Sequence, residues 1–241
     1  MIASNLSNRP IRPDNVAIIT PTKGRHRQLR CLLETLSKQT SMPRQMIIAD
    51  GGRDASALVS EFAELLPVTW LDCPTPGQIA QRNLALTQLN PDVEVVIYLD
   101  DDIQLEPEAL ERLIGLWNAQ PSPPAGMSLN ILNMPRQDDN FIRHVFCMET
   151  EPRGKVLRSG YNTPVTGVSA DAQSQWLIGG ATAWRRDILT TVVNQPIASR
   201  WAITEDLMFS YGIWKRGENL LVCAGARVLH IDNTPIETFA V

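Results

Sequence analysis

Along the first half of the chain, short apolar runs alternate with polar turns and with stretches whose apolar residues recur every three or four positions. That is the signature of strands alternating with helices. VAIIT at 16–20 leads into a helix with Leu29, Leu32, Leu33 and Leu36 on one face, and QMIIAD at 45–50 leads into another carrying Leu58, Phe62, Leu65 and Leu66. VTWLDC at 68–73 precedes a helix over 78–89. VEVVIYLDDD at 93–102 follows, its unbroken Val/Ile stretch suiting a central parallel strand covered on both faces. Pro107 then opens a helix with Leu110, Leu113, Ile114 and Trp117 inward. Four such units predict an α/β fold with a doubly wound, mostly parallel, Rossmann-like sheet flanked by helices, holding its ligand at the carboxyl ends of the strands.

The second half reads differently. QPSPPAG at 120–126 breaks the pattern, MSLNIL predicts a strand, and MPRQDDN an exposed loop. Residues 145–161 predict a hairpin turning at Pro152, Arg153 and Gly154. WLIGGATAW at 176–184 is strand-like around a glycine pair, with a helix over 185–193 behind it. ITEDLMFSYGIWKRG predicts a helix capped by Thr204, with Leu207, Tyr211 and Trp214 on one face and Gly217 at its stop. LLVC and ARVLHI close the sheet. The division that follows is an extension (1–15), a half of the nucleotide-binding type (16–118), and a second half of the same domain (119–241), which the motif resemblance below makes the acceptor-binding and catalytic side.

With 241 residues, 44% hydrophobic and 20% charged, the chain is long enough for a sizeable core and too ordinary for a disordered or fibrous protein. A net charge of −4 gives no general attraction to nucleic acid. The longest apolar runs are far short of the ~18 residues a spanning helix needs. The opening MIASNLSNRPIRPDN holds no apolar signal core, so the expected compartment is the cytoplasm. Cys31, Cys73, Cys147 and Cys223 lack any metal-ligand spacing and read as reduced, mostly core thiols.

Two places gather acids. Asp100, Asp101 and Asp102 follow the apolar strand, at the sheet edge where ligands bind, and their mutual repulsion calls for a counterion. In extended chain Asp100 and Asp102 face one side and Asp101 the other, and such hard oxygen donors suit Mg²⁺ or Mn²⁺. Glu205 and Asp206 occupy the first turn of a helix, where the macrodipole stabilises anions. A metal for a leaving phosphate and a carboxylate to take a proton are the two parts a group transfer needs. Solvated turn acids and a merely structural helix start are the plainer readings of the same residues. The basic run Lys23, Arg25, His26, Arg27 and Arg30 reads mostly as a solvated helix face.

The ordered set ITPTKGR, IIADGGRD, GQIAQRN, YLDDDI, WLIGGATAWRR, TEDLMFSYGIWKRG and ARVLH resembles glycosyltransferase family 2 with the GT-A fold, over residues 16–230. The resemblance implies an inverting transferase that moves a sugar from a nucleotide diphosphate, UDP or dTDP favoured, to a hydroxyl of a glycan, lipid-linked or small-molecule acceptor, with a divalent cation and no nucleic acid partner. It implies that Pro21, Thr22, Arg25, Asp50, Arg82, Asp100 and Asp101 bind the donor, Asp50 through the base. Asp102 would then ligate the metal, with His230 beside metal or diphosphate. Gly179, Gly180 and Trp176 would line the sugar and acceptor site, and Asp206 of the Glu205–Asp206 pair would be the catalytic base. Docking on the cytoplasmic membrane face is compatible with a lipid-linked acceptor. Rivals are a sugar nucleotidyltransferase, which would want a Gly-rich phosphate loop after the first strand, and a carbohydrate-binding protein on an inactive transferase fold.

Overall fold

The computed structural model describes residues 9–134, 150–192 and 204–231. Its strands are β1 (Val16–Thr22), β2 (Gln45–Asp50), β3 (Val68–Asp72), β4 (Val95–Leu99), β5 (Ile103–Leu105), β6 (Gly126–Ile131), β7 (Ala172–Gln173), β8 (Ala181–Arg185) and β9 (Leu220–His230). The helices are α1 (His26–Leu36), α2 (Ser56–Glu61), α3 (Gln78–Leu86), α4 (Ala109–Ala119), α5 (Arg186–Thr191) and α6 (Glu205–Trp214). All the strands join one sheet in the order β3-β2-β1-β4-β8-β6-β9-β5, with β7 also on β9. β1 to β4 pair in parallel, and β6 and β9 run the same way. β5, β7 and β8 run against them. This is the mixed α/β, mostly parallel sheet flanked by helices that the apolar pattern implies.

The apolar runs explain the centre. β1 and β4 are buried along their whole lengths, because helices cover both faces of a parallel sheet. One core packs Ile18, Met46, Ile48 and Ile97 beneath Leu29, Leu32, Leu33 and Leu36 of α1 and Leu110, Leu113 and Trp117 of α4. The other sets Ile19, Ile47 and Val96 against Ala85 of α3 and Ile213 of α6.

Several expectations need correction. α2 ends at Glu61, so Leu65 is 67% exposed while Phe62 and Leu66 are buried in the turns that follow. The first arm of the hairpin expected around residues 152–154 lies outside the described residues; a reversal among those described falls at 157–161, where Leu157 N–H donates to Tyr161 O and Val156 bridges Asn162. α6 buries Glu205, Ser210 and Ile213 rather than a Leu207/Tyr211/Trp214 face. Tyr211 and Trp214 stack on each other with ring centroids 5.5 Å apart. Thr204 starts α6 in the left-handed region at φ 69°, without a side-chain capping bond. Cys73 and Cys223 are buried free thiols and Cys31 is half-buried, whereas Cys147 and most of the MPRQDDN segment lie outside the described residues. Among the described residues, no helix is long and apolar enough to cross a membrane.

Candidate active site

The register aligns the ends of the parallel strands, so Thr22 pairs with Asp50 and Asp50 with Asp72 at one edge of the sheet. β4 ends beside them and delivers Asp100–Asp102. β8, running the other way, begins at this same edge, with Leu99 opposite Ala181, and so brings Gly179 and Gly180 there. β9 ends there too, His230 opposite Ile103. An open cleft of about 260 Å³ lies between Pro21, Thr22, Lys23, Arg25, Gln78, Gln81 and the three aspartates.

The aspartates do not alternate as extended chain would place them. Asp100–Asp102 form a turn, with Ile103 N–H reaching Asp100 O at 3.3 Å. Asp100 therefore turns toward α3, its Oδ1 accepting from Gln78 Nε2 at 2.7 Å and from Arg82 at 2.8 Å. Asp101 and Asp102 turn together toward Arg25, which lies 2.8 Å from Asp102 Oδ2 and 3.4 Å from Asp101 Oδ1. Thr22 Oγ1 donates to Asp101 Oδ2 at 2.7 Å. The counterions the triplet requires are thus Arg82 for Asp100 and Arg25 for Asp101 and Asp102. Desolvation pushes the Asp101 carboxyl up to about 6, against the lowering effects of Thr22 and Arg25 and with help from Asp102 and Asp100. A raised acid binds its proton more tightly in the folded state, so ionising Asp101 withdraws stability as the pH rises from about 4 to about 6.

Asp50 is fully buried and organises the turn after β2. Its Oδ1 accepts from Gly52 N–H at 2.7 Å, and its Oδ2 accepts from Asp54 N–H, Ala55 N–H and Trp70 Nε1 at 2.8–3.0 Å. Burial alone would push this carboxyl up; the bonds from Trp70, Ala55 and Gly52 outweigh it and hold it below the ordinary value. Arg53, at φ 62°, reaches Asp72 Oδ2 at 2.7 Å. A base hydrogen-bonding to Asp50 would displace one of these donors, whereas Asp72 Oδ1 is buried and without a hydrogen-bond partner at the same edge.

Arg82 is buried, 4.9 Å above the Tyr98 ring, and joins the two acid sites: one guanidinium nitrogen meets Asp100 and another meets Glu205 Oε1 at 3.0 Å. Glu205 is thereby Arg82's partner, 6% exposed, and the half-exposed carboxylate of the pair is Asp206. Asp206 Oδ2 accepts from Gly179 N–H and its Oδ1 from Leu207 N–H, both at 2.8 Å. Ser210 donates to Asp206 O and accepts from Leu177 N–H, pinning the helix start to the approach to β8.

The glycine pair fits between the two sites. A Cβ on Gly179 would stand 3.2 Å from Asp206 Cβ, and one on Gly180, at φ 90°, would stand 3.0 Å from Asp100 Oδ2. Gly180→Ala should therefore cost roughly 1–3 kcal/mol from backbone strain alone and also displace Asp100. An unchanged urea midpoint with unchanged nucleotide affinity would rule this out.

Trp176 does not face an open sugar site. It is buried, with Nε1 donating to Thr163 O at 3.3 Å, because the chain before the glycines packs inward. Trp184 is buried as well, against Gly126, whose Cβ would meet its ring at 2.5 Å.

For a metal, the donors are few. Among the described residues, no group of three or more His, Cys, Asp or Glu side chains is placed to hold an ion. Asp102 Oδ1 is buried without a hydrogen-bond partner and lies 3.4 Å from His230 Nε2. Two protein donors fit a hard cation that takes its other ligands from phosphate and water.

Residues 17–146 match the family described as Glycosyl transferase family 2. The chain belongs to that family. No curated protein matches it in sequence. Among solved structures, the crystal structure of S. aureus TarS 1-349 is similar over 89% of this chain and 60% of that one, with 17% identity and a TM-score of 0.63. TarS 1-349 in complex with UDP gives 16% identity and 0.62, again covering 89% and 60%. The complex with UDP-GlcNAc gives 17% and 0.61, covering 89% and 58%. The chain thus spans about 60% of the TarS 1-349 chain, and the likeness establishes a shared glycosyltransferase GT-A fold.

The family motifs point to Arg82 in AQRN but not to Gln78 and Gln81, one turn and one residue before it. Gln81 Nε2 donates to Thr22 O and Ala49 O at 2.8 and 2.6 Å, tying together the ends of β1 and β2. Two glutamines on a helix face otherwise turned to the sheet were the available signal. Asp72 and Trp70 gave none, since both read as ordinary strand residues.

Proposed function

We propose that this family 2 glycosyltransferase moves a sugar from a uracil or thymine nucleotide diphosphate to an acceptor hydroxyl with inversion. The observation that carries the reading is the pair of acid sites, Asp100–Asp102 over the cleft and Asp206 at a helix start, held on either side of Gly179–Gly180. The TarS complexes hold UDP and UDP-GlcNAc on the same fold, which favours a uracil nucleotide.

In this mechanism, Pro21, Thr22, Lys23 and Arg25 line the nucleotide side of the cleft, and the turn held by Asp50 adjoins it, Gly51 N–H donating to Thr22 O at 2.9 Å. Asp206 takes the proton of the acceptor hydroxyl. The acceptor oxygen bonds to the anomeric carbon as that carbon's bond to the diphosphate oxygen breaks, and the diphosphate leaves on the opposite face. Gly179 N–H and Leu207 N–H fix the carboxylate's direction, so no reorientation is needed at the moment of transfer. Asp102 and His230 would hold a divalent cation, Mg²⁺ or Mn²⁺, whose chemistry is to offset charge growing on the leaving diphosphate. The acceptor is a hydroxyl of a glycan or lipid-linked glycan, reached from the cytoplasmic side of a membrane in the latter case.

Thermal unfolding with UDP tests the reading. UDP should raise the transition modestly in EDTA and clearly more in Mn²⁺, by mass action on the folded state. Asp102→Ala should remove the Mn²⁺ increment alone. Equal stabilisation in EDTA and Mn²⁺ would exclude the cation, and no effect of UDP in either would exclude the donor.

A further inference from the structure

Arg25 stands where it interferes with the cation. Its guanidinium lies 2.8 Å from Asp102 Oδ2 and 3.4 Å from Asp101 Oδ1, and both carboxylates are almost wholly buried, their side chains 7% and 5% exposed. Arg25 itself is 39% exposed at the mouth of the cleft, just ahead of α1. The acids are therefore fixed, and the guanidinium is the part with room to move. Asp102 Oδ1, by contrast, faces His230 without a hydrogen-bond partner. A cation placed on Asp102 and His230 would sit within a few ångströms of a permanent positive charge, in surroundings that screen poorly.

We propose that Arg25 is an internal counterion that makes cation binding conditional on the nucleotide. With the cleft empty, Arg25 neutralises Asp101 and Asp102 and keeps a divalent cation off Asp102. A nucleoside diphosphate brings negative charge of its own, which compensates the guanidinium and the cation together, so each ligand strengthens the other by the same factor. Lys23, the other cation lining the cleft, adds to the same demand for an anion. This inference rests on the cation reading above, and it assigns Arg25 a positioning and gating role toward Asp102 rather than a step in the transfer.

Mn²⁺ titrations followed by electron paramagnetic resonance, with and without UDP, separate the two ideas. The wild type should bind Mn²⁺ weakly alone and much more tightly with UDP. Arg25→Gln removes the charge, so Mn²⁺ alone should bind at least about tenfold more tightly than to the wild type, and the UDP enhancement should shrink. Arg25→Lys keeps the charge and should stay near wild type, and circular dichroism checks that both variants are folded. Unchanged or weaker Mn²⁺ binding to folded Arg25→Gln, with the wild type still binding Mn²⁺ in the presence of UDP, overturns the role of Arg25 and leaves the cation reading standing. If Mn²⁺ binds neither protein even with UDP, the cation reading fails and the gating role falls with it.

Discussion

Asp206→Asn is expected to lower turnover by roughly 10²- to 10⁴-fold while UDP affinity stays within about threefold, because the change removes a proton acceptor and little else. Size and position at the helix start are kept, and the amide oxygen can still accept from Gly179 N–H. The amide nitrogen then faces Leu207 N–H, a donor against a donor, so the side chain is held less well as well as being unable to take the proton. Single-turnover assays with isothermal titration of UDP separate chemistry from binding. The wild-type product should carry the anomeric configuration opposite to the donor's. Normal turnover by Asp206→Asn, or a retained configuration, would reduce Asp206 to an ordinary helix-start acid and remove the inverting mechanism.

The largest effect on stability is expected at Asp50. Asp50→Ala strips four buried or half-buried donors of their acceptor at once: the N–H groups of Gly52, Asp54 and Ala55, and Trp70 Nε1. Each buried donor left unpaired costs ~1–3 kcal/mol, and water recovers part of the sum, so a loss of about 3–5 kcal/mol follows. For a chain of this size that is a Tm lower by roughly 10 °C. UDP binding should weaken with it, since Thr22 of the cleft pairs in register with Asp50 and accepts from Gly51 N–H in the turn that Asp50 holds. The pH dependence has a definite sign. The folded carboxyl titrates below its ordinary 3.8, so its contribution is complete above that value and is lost as the pH falls through the lower, folded one. The gap between wild type and Asp50→Ala, measured by urea unfolding, should therefore narrow on acidification below about pH 4. A gap of less than 1 kcal/mol at neutral pH would mean that water replaces the carboxylate without cost.

What the chain discloses before folding is uneven, for physical reasons. β1, β2 and β4 were legible because burial on both faces selects unbroken apolar runs, with polar residues gathered toward the strand ends, and α1 because Leu29, Leu32, Leu33 and Leu36 must share one face. α6 was legible as a helix but not in orientation: its buried face holds Glu205 and Ser210, which pair with Arg82 and with Leu177 N–H, partners distant in sequence. Asp100–Asp102 could be placed at the sheet edge, yet their directions depend on a turn that no alternation rule describes. The burial of Trp176 depends on Thr163 and on the packing of residues 150–175, where the sequence has little period of its own. Asp72 and Gln81 became visible only once the register put the ends of β1, β2 and β3 side by side.

The glycine pair has a bearing on how such an enzyme can be recombined. Gly179 touches Asp206 and Gly180 touches Asp100, so adjacent peptide units set the interval between these two carboxylates. A graft that exchanges 150–175 for the matching stretch of another transferase leaves that ruler in place. A crossover placed between residue 179 and residue 180 joins halves calibrated separately, and its product can fold correctly while holding the two carboxylates at an interval that suits neither parent's reaction.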